Sequence, residues 1–395
     1  MRIADFTWHT VAVPLRREVK HASASRNESV NLLVCCRLTD GTLGWGEGVP
    51  REYVTGESPD GAFDLLAATP LAEQLGGDCR NWDEVFALCE RFRPPHSGDD
   101  PRGCGGNALR CAVELSILDA FGRDFSQPLS AATERFLPAA SVRQVSQRVR
   151  YSGAITAEAP QAEAVSALKM RLNRFAHCKV KVGLRGADDV ARLRRIRRLV
   201  GRGMDLRLDA NEAWSAAEAA ARIEPLLKFG VSSIEQPMPH AELAAMSALR
   251  RAVPVRFMLD ESLTGLPDAE RAIELGACDL FNIRLSKCGG YLNSLRLAAR
   301  ATAAGLGYQL GCHPGETGIL SAAGRHWASS VGGIAYLEGS FDRHLLKELP
   351  TREDITFGFR GFAPALAGPG LGVTIRPDVL ARMTLRTQSQ QVTQP

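Results

Sequence analysis

The sequence predicts an α/β protein, a (β/α)8-type barrel with an α+β capping domain in front of it. Three observations predict this. Short β-rich runs start at residues 178, 205, 231, 256, 280, 308 and 335, a recurrence of 24–28 residues. That is the length of one strand, loop and helix. The stretch before them reads as strands around a hairpin turn, followed by helices. Finally, charged residues stand at the ends of consecutive β runs.

The capping part spans residues 1–135. Strand-like runs cover Ile3–Val13 and Val30–Thr39, and Asp40-Gly41 between apolar runs signals a hairpin leading through Trp45. A helix is expected from Asn107 to Phe121, with Leu109, Val113, Ser116, Ile117 and Ala120 on one face and Gly122 as its C-cap. The barrel covers residues 136–350, with its first run near Arg148–Ile155 and amphipathic helices such as Ala216–Phe229 and Tyr291–Ala304. Residues 351–395 are rich in turns, with Gly358, Gly361, Gly368, Gly370 and Gly372 beside Pro364 and Pro369. They are expected to fold back on the cap and to end in a disordered polar tail, 387–395.

Composition narrows the function. The chain is 395 residues long, 45% hydrophobic, with a net charge of +4, ordinary values for a soluble globular protein. Arg192, Arg194, Arg195, Arg197, Arg198, Arg202 and Arg207 crowd one stretch, but no recognition motif accompanies them. They read as a solvated outer helix, not a nucleic-acid surface. No apolar run reaches the ~18 residues of a membrane span. Met1–Leu15 alternates like a strand and does not resemble a signal peptide. Ten cysteines show no C-x-x-C spacing, which excludes a zinc pattern and a disulfide framework. A reducing, cytoplasmic setting is expected. Gly103-Cys104-Gly105-Gly106 lacks the Lys-Ser/Thr of a phosphate loop and reads as a linker.

The chemistry lies at the run ends. The second run holds Lys179-Val180-Lys181, and a spacing of two puts both lysines on one side of a strand. The third ends in Asp209, within Leu208-Asp209-Ala210-Asn211. The fourth ends in Glu235, and the fifth in Asp260. The sixth reads Asn282-Ile283-Arg284-Leu285-Ser286-Lys287. Barrel strand C-termini open onto one face, so these groups should converge there. Three carboxylates in one cavity need a cation, and an all-oxygen set selects Mg²⁺, with Mn²⁺ possible. A lysine among other cations has a lowered pKa and suits proton removal beside a carboxylate, with the metal steadying the enediolate.

Together these motifs resemble the muconate-lactonizing subgroup of the enolase superfamily, over nearly the whole chain. The resemblance implies a modified (β/α)7β barrel. It implies Lys181 as the acid/base, assisted by Lys179, and Asp209, Glu235 and Asp260 as metal ligands. It also implies specificity loops in the cap, at about residues 16–30 and 48–60. These loops offer His21, Arg26 and Tyr53 as substrate contacts, with Asn211 from the barrel. Glu316, in His313-Pro314-Gly315-Glu316, either meets the substrate or the acid/base, or caps the following helix.

One departure bears on the reaction. The subgroup carries a second acid/base lysine on strand six, where this chain has Arg284, with Lys287 three residues on. Arginine stays protonated and makes a poor base. The dipeptide epimerases of the family also carry an Asp-x-Asp element after strand seven, absent here. The expectation is therefore a Mg-dependent isomerase or lyase resembling muconate cycloisomerase, acting on a small carboxylate. The alternatives are dehydratase or o-succinylbenzoate-synthase-like syn-elimination, and racemase or epimerase action on amino-acid derivatives or dipeptides. A catalytically silent barrel used for binding is the other class. The family also implies a homo-oligomer, a dimer or octamer.

Overall fold

A computed structural model describes residues 1–20, 25–95, 100–156, 159–393. The cap is built on a four-stranded antiparallel sheet. Strands β1 (Ile3–Lys20), β2 (Ser25–Leu38) and β3 (Leu43–Gly48) form a meander, and β12 (Thr384–Gln391) pairs with the free edge of β1. The Asp40-Gly41 turn joins β2 to β3 as expected, with Gly41 at φ 91°. β1 and β2 run further than the sequence suggested. The expected loop 16–30 is therefore largely the arms of this hairpin, because the β1–β2 ladder continues through Val19–Arg26. His21 lies outside the described residues. The second expected loop, 48–60, contains a helical turn, Glu52–Thr55, and the start of the helix Pro59–Ala67.

The tail expected to be disordered is corrected at 387–391. Thr387 pairs with His9 and Gln391 with Asp5. Its side chains are polar, yet the exposed backbone edge of β1 supplies hydrogen bonds that composition does not register.

The helix Asn107–Asp124 passes through Gly122 instead of stopping there. A Cβ at Gly122 would stand 2.9 Å from the Gly370 Cα. The glycine serves close packing, not a cap. The helix is also buried on nearly every side, because β3 presses its backbone against it. A Cβ at Gly46 would lie 1.9 Å from the Ala112 carbonyl oxygen. The alternating glycines 44, 46 and 48 make that contact possible.

The second sheet has eight parallel strands in sequential order. They are β4 (Gly153–Ile155), β5 (His177–Lys181), β6 (Asp205–Asp209), β7 (Val231–Glu235), β8 (Arg256–Leu259), β9 (Leu280–Ile283), β10 (Gly307–Leu310) and β11 (Ile334–Leu337). The Ser152 N–H donates to the Leu337 carbonyl at 2.8 Å, bringing the two ends of the curled sheet together. The first run was expected near 148–155, but only 153–155 belongs to this sheet. Arg148–Arg150 pairs antiparallel with Phe362–Pro364.

The arginine-rich stretch divides. On the helix Asp189–Val200, Leu193, Ile196 and Val200 face inward while Arg194 and Arg198 are exposed. Arg192 is buried, and its Nε donates to Glu163 at 2.7 Å. Arg207 is no surface residue. It lies inside the barrel on β6, at 1% exposure.

The cap sits on the barrel mouth through specific polar contacts. The Asn107 amide donates to the carbonyls of Thr264 and Lys287, and the Val49 N–H donates to the Ser286 hydroxyl. Asn31 donates to the Gly315 carbonyl at 2.9 Å and to Glu47 at 2.7 Å. Among the described residues, no helix is long and apolar enough to cross a membrane. None of the ten cysteines forms a disulfide.

Candidate active site

The parallel register sets the site. Lys181 is level with Asp209, and Asp209 with Glu235. Glu235 is level with Met258, and Asp260 follows two residues later at the end of β8. Lys179, Lys181, Asp209, Glu235, Asp260 and Arg284 thus gather at one end of the sheet. Asp209, Glu235 and Asp260 are each 2% exposed or less.

Cations are interleaved among these acids. The Lys179 Nζ lies 3.2 Å from Asp209, 3.6 Å from Glu235 and 3.0 Å from Glu338. Arg284 pairs with Asp260 and lies 3.7 Å from Glu235. Lys287 is held by three oxygens, the Asp260 carboxylate at 2.8 Å, the Asp260 carbonyl at 2.6 Å and the Asn282 carbonyl at 2.8 Å. It lies behind Asp260 at 1% exposure and is not extended toward the cavity. Arg207 pairs with Glu338 from below.

Electrostatics separate the two lysines of β5. Burial disfavours the charge on both. At Lys179 the carboxylates of Glu235, Glu338 and Asp209 overcome it and hold the ammonium charged. At Lys181 burial prevails. Asp209 opposes it, but Lys179 and Arg284 add repulsion, and the pKa falls below the ordinary lysine value. Burial lowers the Arg284 pKa, yet Asp260 and Glu235 overcome it and raise it well above the usual range. Burial pushes the Glu235 carboxyl up to about 8, against Lys179. At Asp260 burial is outweighed by Arg284 and Lys287, which hold it well below the usual carboxylate range.

Among the described residues no three acidic, histidine or cysteine side chains already form a metal cage. The donor set nevertheless fits a hard divalent cation. It consists of carboxylates on three adjacent strand ends, and the Glu235 Oε2 is buried with no hydrogen-bond partner. Asp209, Glu235 and Asp260 are the residues that would hold such an ion.

The loops are held by residues the sequence reading passed over. Gln236, directly after Glu235 at φ 36°, accepts from the N–H groups of Asp260 and Ser262 at 3.0 and 3.1 Å. Its amide donates to the Ser262 hydroxyl at 2.7 Å. This side chain ties the β7 end to the β8 end. Asn282 donates to Glu235 at 2.8 Å. Glu338 follows β11, so reading the end of the eighth run would have found it. Asn211 sits at φ 43° and donates to Glu261 at 3.4 Å.

Glu316 does not cap the helix Gly318–Ser330. Thr317 is the N-cap, and Glu47 from the cap accepts from Thr317 and Leu320 at the same terminus. Glu316 instead accepts from the His313 N–H at 2.6 Å, and burial pushes its carboxyl up to about 8. Arg26 and Tyr53 meet at the cap, with a guanidinium-to-hydroxyl distance of 3.4 Å.

Comparison with known proteins follows this geometry. Residues 161–379 match the family model described as "Enolase C-terminal domain-like". The chain belongs to the enolase superfamily. It is 26% identical to the N-succinyl-L-Arg/Lys racemase of Bacillus cereus over 98% of both chains. The crystal structure of that racemase superposes with a TM-score of 0.87, covering 99% of this chain and 100% of the other. The dipeptide epimerase of Cytophaga hutchinsonii, solved with Mg and the dipeptide D-Ala-L-Val, superposes at TM-score 0.83 and 25% identity, covering 98% of this chain and 100% of the other. Muconate cycloisomerase 1 of Rhodococcus opacus is 30% identical over 94% of this chain and 95% of its own length. The superfamily fold and enzyme class expected from the sequence are thereby met. The preference for a cycloisomerase is not, because racemases and epimerases are prominent among the relatives.

Proposed function

We propose that this enzyme removes the proton α to the carboxylate of an amino-acid derivative, as racemases and epimerases do, with Lys181 as the base. The observation that carries this reading is the β5 register, which sets Lys181 level with Asp209 at the strand-end cluster and on the same side of the strand as Lys179. Burial and the repulsion of Lys179 and Arg284 lower its pKa, which suits the amine to act as a base closer to neutral pH. Lys179, held charged by three carboxylates, adds to burial in lowering the Lys181 pKa. Asp209, Glu235 and Asp260 would hold Mg²⁺, or Mn²⁺ in its place. The bound ion would neutralise the substrate carboxylate and the negative charge that develops as the proton leaves. Relatives that act on amino-acid derivatives and dipeptides support the substrate class.

A second reading rests on Arg284. Racemisation needs a proton donor on the opposite face of the carbon, and Arg284 occupies the place of the family's second lysine. Its guanidinium is held charged by Asp260, so it steadies an enolate and returns a proton poorly. This favours a one-face outcome, elimination or cycloisomerisation. Incubation of N-acyl amino acids and dipeptides with the Mg-loaded enzyme in D₂O separates the two. Deuterium incorporation with inversion supports racemase or epimerase action, and incorporation with retention, or loss of a β-substituent, supports the second reading. No exchange and no elimination across the set would defeat both.

A further inference from the structure

The cap sheet ends in a free edge. β12 pairs with β1 on one side, and among the described residues no strand pairs with the other. β3, at the opposite edge of the sheet, is largely buried. On β12, Thr387, Gln388, Ser389 and Gln391 are exposed, and Leu385 is 60% exposed.

The β1–β12 register fixes which backbone groups face outward. The Val392 N–H donates to the Ala4 carbonyl at 2.8 Å, so these two residues form a hydrogen-bonded pair. Pairing then runs unbroken from Asp5 and Gln391 to Thr10 and Arg386. Hydrogen-bonded and non-hydrogen-bonded pairs alternate along an antiparallel ladder. Gln390, Gln388 and Arg386 therefore bond to β1. Thr387, Ser389 and Gln391 turn their N–H and C=O groups away from it. The hydroxyl oxygens of Thr7 and Ser389 lie 2.8 Å apart, in keeping with the closer side chains of a non-hydrogen-bonded pair.

Folded proteins blunt such edges with lysines, prolines, bulges or a covering element. Residues 387–391 read Thr-Gln-Ser-Gln-Gln, without charge, proline or glycine. The register shift of this ladder lies beyond Arg386, at the start of the strand. Arg386 itself turns to the helix Pro59–Ala67, where Asp60 and Asp64 neutralise it at 3.2 and 2.7 Å. The segment is also complementary to itself. Antiparallel pairing of two copies about a twofold axis at Gln388 sets Thr387 opposite Ser389 and Arg386 opposite Gln390. Outward backbone groups then meet outward backbone groups, and no charge meets its own copy. Thr opposite Ser is a favourable cross-strand pair.

We propose that β12 is the interface with a second copy of this chain, joining the two cap sheets edge to edge into one continuous sheet. The contact is isologous, the same strand serving on both sides. An edge ladder alone is a small interface, so the association is reversible and depends on concentration.

Sedimentation velocity of the full chain over the micromolar range tests this. The mass should rise with concentration toward that of a dimer, or of a larger assembly that contains this contact. Thr387→Pro removes an outward N–H and leaves the β1 ladder its donors. It should shift the assembly to a smaller one. Thr387→Lys combined with Ser389→Lys keeps every backbone donor and sets like charges across the axis, so it keeps the test open if proline disturbs the strand. It should weaken association about tenfold at low salt and less at high salt. Both residues lie outside the strand-end cluster, so turnover per chain should stay at the parental level. Amide hydrogen exchange gives an independent reading. Thr387, Ser389 and Gln391 should gain protection as concentration rises, whereas Gln388 and Gln390 should be protected throughout. A monomer at every concentration overturns the proposal and leaves the edge to solvent or a foreign strand. An assembly that neither variant weakens also overturns it, by placing the interface elsewhere.

Discussion

On the β5 side of the barrel mouth, two lysines stand two residues apart on one strand. On the β9 side, an arginine and a lysine stand three apart and part company. The regular alternation of β5 sends Lys179 and Lys181 into the same cavity, where Lys179 collects the carboxylates while burial and Lys179 lower the pKa of Lys181. Beyond Ile283 the backbone leaves the strand, so Lys287 folds back behind Asp260 while Arg284 faces it. Similar charge on the two sides therefore serves different ends. One side offers a titrating amine, and the other a fixed cation and a structural pin.

The largest expected effect comes from the titrating side. Lys181→Ala should lower the α-proton exchange rate by about 10³-fold, the upper part of the range for a positioned base. Mg²⁺ affinity should persist, because Asp209, Glu235 and Asp260 are untouched. A variant that exchanges at the parental rate would break the distinction between the sides. The rate should also rise with pH through a value below that of an ordinary lysine, since the base acts unprotonated. A profile that falls over that interval would assign the titration to another group.

Lys287→Met tests the pin. The substitution leaves one Asp260 oxygen and two carbonyls without their donor, at 1% exposure or less for both side chains. Loss of one partner from a buried pair costs about 3 kcal/mol. Chemical denaturation should show this as a lower midpoint with an unchanged slope. If the midpoint holds while turnover collapses, Lys287 is a second acid/base and the sides are alike.

Much of this contrast was legible in the sequence, and the part that was not has a physical cause. A parallel strand end is a fixed address, so Asp209, Glu235, Asp260 and Lys179-Val180-Lys181 could be placed from run ends alone. Lys287 could not, because its direction depends on how the backbone turns after Ile283. Arg207 was taken for one of a run of surface arginines. Only the closure of the sheet, which brings Glu338, just after β11, across to β6, reveals it as a buried counter-ion. Gly122 and the strand at 387–391 were misread for the same reason. Their conformations are set by the close backbone of Gly370 and the free edge of β1, partners remote in sequence.

Arg284→Lys would make the two sides chemically alike. A lysine beside Asp260 and Glu235 can titrate, whereas the guanidinium cannot. Deuterium should then enter the opposite face of the α-carbon, with a gain in inversion of about tenfold, modest because Asp260 also holds the new ammonium charged. Chiral analysis of the recovered substrate measures this. If the parent enzyme already inverts and the variant does not improve, Arg284 is itself a competent donor, and the racemase reading needs no second lysine.

The smallest expected effect concerns Glu316, between the two sides and the cap. Burial raises its carboxyl from the ordinary 4.5 to about 8 in the folded protein. A group with a raised folded pKa favours the fold fully below the unfolded value. That contribution is lost as pH rises through the folded one. Stability attributable to Glu316 should thus decline between about pH 4.5 and about 8, by something on the order of 1 kcal/mol once the loop relaxes around the ionised group. Glu316→Gln removes the titration, so the variant should lose less stability than the parent across that interval. Identical slopes for the two proteins would mean that Glu316 is ionised in the fold. It would then act as a counter-charge to the buried Arg51 of the cap.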